Sequence, residues 1–114
     1  MITNKLTYSE DLDETVAAVN YTGILDAANE TTLNANLVIS AISGTVNVMP
    51  EYSFDGGVTW NEIGDDYAFD EKIATGYQWL EFSQFTAELW RFKITLSGGT
   101  STASVVMSAI AKKA

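Results

Sequence analysis

The chain predicts an all-β fold, an antiparallel β-sandwich of jelly-roll-like topology with about eight strands. Three observations carry this. Apolar and polar residues alternate with period two over residues 33–43 and again over 89–97, the pattern of half-buried strands. Turn signals rich in glycine, aspartate and serine recur every ~8–12 residues, as sandwiches require. No long stretch repeats with helical period, which excludes a Rossmann-type alternation of strands and helices.

The hairpin signal around residue 55 is the strongest. Residues 45–54 and 59–63 read as two strands joined by Asp55-Gly56-Gly57-Val58. Asp-Gly and Gly-Gly between apolar runs mark tight turns, because glycine adopts positive φ without steric cost. Within this segment Ser53, Asp55, Gly57, Thr59 and Trp60 form Ser-x-Asp-x-Gly-x-Thr-Trp. The pattern resembles the Asp-box of sialidases and of many unrelated β proteins. Its physical content is local: Asp55 accepts hydrogen bonds from turn amides, Gly57 takes the left-handed position and Trp60 packs back beneath the loop. The box specifies a turn, not an activity.

The remaining elements follow in chain order. Residues 1–14 are polar and acidic, with Leu6, Tyr8 and Leu12 as isolated apolar side chains. They are expected to form an extended N-terminal arm, a candidate contact with a neighbouring subunit, ahead of a single sandwich domain over 15–114. Residues 15–22 are a first strand. In residues 33–43, Leu33, Ala35, Leu37, Ile39 and Ala41 share one face. Ser43-Gly44 then turns into the hairpin. Pro50, the sole proline, lacks a ladder donor and belongs at an edge or bulge. Residues 69–75 and 77–82 are short strand candidates. Trp79, Phe82, Phe85 and Leu89 also fit helical spacing, so a short helix over residues 82–88 is the alternative there. In residues 89–97, Trp90, Phe92, Ile94 and Leu96 face inward, and Arg91 is placed to pair with a cross-strand carboxylate. Gly98-Gly99-Thr100-Ser101 turns into a last strand over 103–111.

Composition bounds the chemistry. At 114 residues the chain is one domain, and 46% apolar content supports a packed core. There is no cysteine and no histidine, which removes thiol chemistry, the commonest general base and the commonest zinc ligand. The formal charge is −9, with six cations against 15 acids, so a nucleic-acid ligand is not expected. No apolar run reaches membrane-spanning length, and residues 1–14 lack the apolar core of a signal peptide.

Specific activities fail in turn. Arg91 is the only arginine, so a sialidase carboxylate clamp cannot be built. Nothing selects a glycosidase pair from the many acids. Asp65, Asp66, Asp70 and Glu71 form an oxygen-rich stretch, but without EF-hand spacing they read as a solvated loop rather than a calcium site. No phosphate-binding glycine loop is present. No catalytic, cofactor or metal residues are expected, and the chain is not expected to be an enzyme. Tyr77, Trp79 and Phe85 are candidate exposed aromatics, which suit a subunit interface or, alternatively, a glycan.

Residues 33–60, with Ser-Phe-Asp-Gly-Gly-Val-Thr-Trp at 53–60, followed by Trp-Arg-Phe-Lys-Ile-Thr-Leu-Ser-Gly-Gly at 90–99, resemble the small β-sandwich virion proteins of tailed bacteriophages. That resemblance implies a capsid decoration or cement protein, or a tail-fibre part, acting by subunit packing. It implies a homo-oligomer, a trimer first, seated on the major capsid protein or another virion subunit at the outer surface of the particle. The alternative is a carbohydrate-binding module or fibre domain holding glycans on exposed aromatics.

Overall fold

The computed structural model describes residues 4–28, 30, 32–64, 68–83 and 87–112. Among them there is no helix; the elements are β1 (Lys5–Asp13), β2 (Val19–Tyr21), β3 (Leu25–Asp26), β4 (Thr32–Ser53), β5 (Asn61–Glu62), β6 (Gly76–Ser83) and β7 (Leu89–Lys112). The all-β, antiparallel expectation holds. Seven strands stand among the described residues against about eight expected: two pairs of predicted strands are each one continuous strand, residues 69–75 form none, and β1 and β3 are added.

β4 and β7 are those long strands, of 22 and 24 residues. They pair antiparallel along nearly their whole length, from Thr32 opposite Lys112 to Ser53 opposite Leu89. Each bends midway and so contributes to two layers. Beyond the bend, the first half of β4 pairs with β6 and the second half of β7 pairs with β1. This gives a layer ordered β6-β4-β7-β1. In the other layer β5 flanks β4, while β2 and β3 flank β7. Long strands that switch layers through bulges form the corners of such sandwiches.

The bend explains the glycines that resemble turns. Ser97 lies opposite Thr45 and Thr102 opposite Ser43, so residues 98–101 of β7 bulge against Gly44 alone. Gly44 has φ 89°, and a Cβ there would overlap the buried Ser101 side chain. Only glycine fits. Ser101 Oγ accepts from Thr45 N–H at 3.2 Å and donates to the Ser97 carbonyl. Glu14 Oε1 accepts from the N–H groups of Gly99 (2.9 Å) and Ser101 (3.0 Å), which holds the bulge from the β1 side.

The inward faces change parity across the bend. Leu33, Ala35, Leu37 and Ile39 are buried, then Val46 and Val48. A register shift between Ile39 and Ala41 turns Ala41 to solvent, which corrects its expected place on the inner face. On β7 the inward set is Trp90, Phe92, Ile94 and Leu96, then Ala103, Val105, Met107, Ala109 and Ala111. The stacked rings of Phe82 on β6 and Trp90 on β7, 5.7 Å apart, join the two layers directly.

Residues 5–13 of the expected arm are not a separate arm. Lys5–Asp13 pairs residue for residue with β7, and Leu6 and Leu12 belong to the core, with Tyr8 packed against it. Alternation hides this strand in the sequence: its charged residues Lys5, Glu10, Asp11 and Asp13 are exposed, and its apolar positions are sparse. Four smaller corrections follow. The first-strand candidate shrinks to β2, the second hairpin strand to β5, and residues 69–75 contribute one bridge, Val46 to Lys72. The short helix over 82–88 is displaced at its start, where Phe82 and Ser83 are strand; residues 84–86 lie outside the described residues. Pro50 lies opposite Phe92, yet the Phe92 amide and carbonyl bond Thr22. Pro50 accordingly turns its carbonyl to Ile63 and its missing donor to the side where β5 ends.

Candidate functional site

Two outward faces concentrate aromatic side chains, and their chemistry differs. The first lies on the layer of β2, β7, β4 and β5. Arg91 and Glu51 are direct cross-strand partners, and Arg91 Nε donates to Glu51 Oε1 at 2.7 Å. The guanidinium lies 4.2 Å from the Tyr21 ring centroid and 4.3 Å from that of Trp60. Both rings therefore spend a face on the cation, an attraction to the ring quadrupole. Lys93 bonds Glu62 beside them, and this bond raises the Lys93 ammonium pKa. A groove of about 490 Å³ next to this cluster is lined by Glu62, Asp70, Glu71 and Lys93 among others. Asp70 and Glu71 are exposed there; Asp65, Asp66 and Tyr67 lie outside the described residues. Among the described residues no group of three or more acids could hold a metal ion.

The Asp-box-like turn borders this face and has a self-contained geometry. Ser53 Oγ donates to Asp55 Oδ1 (2.8 Å) and accepts from Gly57 N–H (2.9 Å); Asp55 Oδ1 also accepts from Thr59 N–H (2.9 Å). Gly56 and Gly57 have φ 76° and 94°. Gly57 sits against the Trp60 ring and Leu89, so Trp60 closes the loop from below. These bonds, the Thr59 amide first and the Ser53 hydroxyl next, hold the Asp55 carboxyl below its usual 3.8. A depressed folded pKa stabilises the fold fully above 3.8, and this is lost as pH falls through the still lower folded value. Asp13 is lowered in the same direction by Thr15. Melting curves from pH 7 down to about 2 should therefore show a steeper acid loss in the wild type than in Asp55→Asn. Parallel curves would mean the turn carboxylate contributes nothing.

The second face is the outward side of the β6-β4-β7-β1 layer. Register lines its residues into rows across four strands. Trp79, Asn36, Ser108 and Thr7 form one row; Tyr77, Val38, Val106 and Ser9 form the next; Glu81, Asn34, Ile110 and Lys5 lie on the other side. Alternation sends Leu80 and Phe82 toward the core, so Tyr77 and Trp79 point out, 77% and 62% exposed. A groove of about 440 Å³ runs beneath Trp79, lined by Thr7, Asn34, Asn36, Ser108 and Ile110. Among the described residues, the side chains of Thr7, Asn34, Asn36, Ser108 and Trp79 have no hydrogen-bond or ring partner. This face thus pairs an open indole with unspent amides and hydroxyls, a combination suited to holding a polar ligand by stacking and hydrogen bonds.

Sequence parity placed Tyr77 and Trp79, whereas Phe85 lies outside the described residues. The arm residues Leu6 and Leu12 are core, and Tyr8 packs on it, its phenol pKa raised by burial and by Glu10; none of them offers a free docking arm. Asn34, Asn36, Thr7 and Ser108 were missed, because only strand register brings them together. No helix among the described residues is long and apolar enough to cross a membrane.

This geometry defines a small β-sandwich with one self-paired face and one open face. No protein-family model matches the chain, and no curated protein matches it in sequence. Solved structures do share its fold. A mitogen derived from Yersinia pseudotuberculosis is 16% identical with a TM-score of 0.53, over 93% of this chain and 84% of that one. The SPBc2 prophage-derived protein YomS is 11% identical with a TM-score of 0.51, over 91% of this chain and 92% of that one. The CBM22-1–GH10 modules of Clostridium thermocellum endo-1,4-β-D-xylanase 10B, complexed with xylohexaose, are 8% identical with a TM-score of 0.51, over 81% of this chain and 19% of that one. At these identities the likeness is one of fold.

Proposed function

We propose that this chain is a non-catalytic structural subunit of a tailed-phage particle, a head decoration or cement protein that acts by packing. The observation that carries the reading is the whole-chain likeness to the prophage-derived YomS, which matches in length as well as fold. The exposed apolar side chains Phe54, Val58, Ile73, Tyr77 and Trp79 give such a subunit contact surface. The acidic surface fits a protein partner outside the shell better than packaged DNA. Because residues 5–13 are an edge strand paired along their length with β7, attachment uses faces of the sandwich rather than a free arm. The expected assembly is a homo-oligomer, a trimer first, on the major capsid protein. Immunogold labelling of intact particles from a phage-producing culture of the source should mark the heads. Signal confined to the unassembled fraction would sink this reading.

A second reading is a fibre domain or module that binds glycans. The open Trp79 groove favours it, and the fold likeness to a module solved with xylohexaose is consistent with it.

A further inference from the structure

We infer that the groove on the β6-β4-β7-β1 layer is a site for a neutral oligosaccharide lying across the strands. One sugar ring stacks on Trp79, and its neighbours bond Asn36, Asn34, Ser108 and Thr7. The inference deepens the glycan reading and rests on it.

Four observations select this ligand class and this place. First, the two candidate faces differ in whether their rings are open. Tyr21 and Trp60 are engaged by Arg91, whereas Trp79 keeps its indole unengaged at 62% exposure. A sugar ring presents a face of C–H groups to an indole, and that contact needs a ring face not already occupied by a cation.

Second, the polar groups beside Trp79 are amides and hydroxyls. An amide donates and accepts at once, which matches a sugar hydroxyl that does the same. Neither Asn36 nor Asn34 spends its amide on a neighbour among the described residues. The opposite groove offers carboxylates and a lysine, two of them already ion-paired.

Third, the groove is poor in charge. Of its lining residues Lys5 alone is charged, and Glu81 stands at the far end of the same row. The chain carries −9 overall, so an anionic glycan or nucleic acid meets repulsion without a compensating cluster of cations.

Fourth, the dimensions suit a short chain of sugars. Adjacent strands lie ~4.8 Å apart, so the row from Trp79 to Thr7 spans roughly 14 Å. The row crosses four hydrogen-bonded strands, so its donors and acceptors are held at fixed spacing by the sheet.

The test uses the full chain. An array of neutral oligosaccharides (xylohexaose, cellohexaose, mannohexaose) and acidic ones (oligosialic acid, oligogalacturonate) is screened, and the best ligand is titrated by calorimetry. The expected result is a neutral ligand whose affinity falls at least about tenfold in Trp79→Ala and in Asn36→Ala. Tyr21→Ala should leave it within about twofold. Trp79 and Asn36 are exposed, so the variants should melt as the wild type does, and a loss of binding then reports the site. Binding of a neutral sugar unaffected by Trp79→Ala and Asn36→Ala overturns this placement but leaves the glycan reading standing. Binding only of the acidic probes overturns the ligand class. Absence of binding to every probe overturns both this inference and the glycan reading.

Discussion

Removing residues 1–13 should abolish cooperative folding. The truncation deletes β1, which pairs with residues 102–110 of β7 along its whole length. It also deletes Leu6 and Leu12, both in the core, and Tyr8, which packs against that core. Burying one leucine contributes about 1.5–3 kcal/mol. Each backbone hydrogen bond of the ladder adds roughly 0.5–1.5 kcal/mol net. Together these losses match or exceed the ~5–15 kcal/mol by which a domain of this kind is stable. The deletion also strips the edge of β7 beside Val105, Met107 and Ala109, leaving a long apolar strand open to mispairing. Far-UV circular dichroism and a urea titration test this directly. A truncated chain that melts cooperatively within a few degrees of the full chain would show that residues 1–13 lie outside the folding unit. A subunit whose attachment depended on a detachable arm would behave in that second way.

What the sequence disclosed and what it withheld follow from how far apart the determining residues lie. The inner faces of residues 33–39 and 90–96 are legible, since each strand buries one side and alternation is local. The Asp-box-like turn is legible for the same reason: Ser53, Asp55, Gly57 and Thr59 bond one another. Arg91 was placed opposite a carboxylate, and Glu51 stands there. The bends were misread as chain reversals because a glycine at positive φ signals both. Gly44 is set apart only by Ser101, its neighbour on β7. β1 was misread because a strand at the edge of a sandwich carries its charges outward and shows few apolar residues. The stacking of Arg91 between Tyr21 and Trp60 joins three distant segments, and no local pattern announces it. The Trp79 groove was half legible. Parity turned the indole outward, but the row through Asn36, Ser108 and Thr7 exists only once the register of four strands is set.

Trp90→Ala should be the most damaging single substitution, costing about 3–5 kcal/mol. The indole is fully buried, stacked on Phe82 at 5.7 Å with planes 17° apart and tilted against Tyr52 at 5.8 Å. Phe82 belongs to the β6 layer and Trp90 to the opposite one, so truncation opens a cavity at the seam between layers rather than at the rim. At about 4 °C or more per kcal/mol, the melting temperature should drop by at least ~12 °C. Trp79→Ala is the internal control. That indole is largely in water, and its removal should change stability by no more than about 0.5 kcal/mol. Fluorescence separates the two: Trp90→Ala should remove the blue-shifted component, Trp79→Ala the solvent-exposed one. Equal losses of stability from both variants would mean that both indoles are buried, and the Trp79 groove would then have no open indole to offer a ligand.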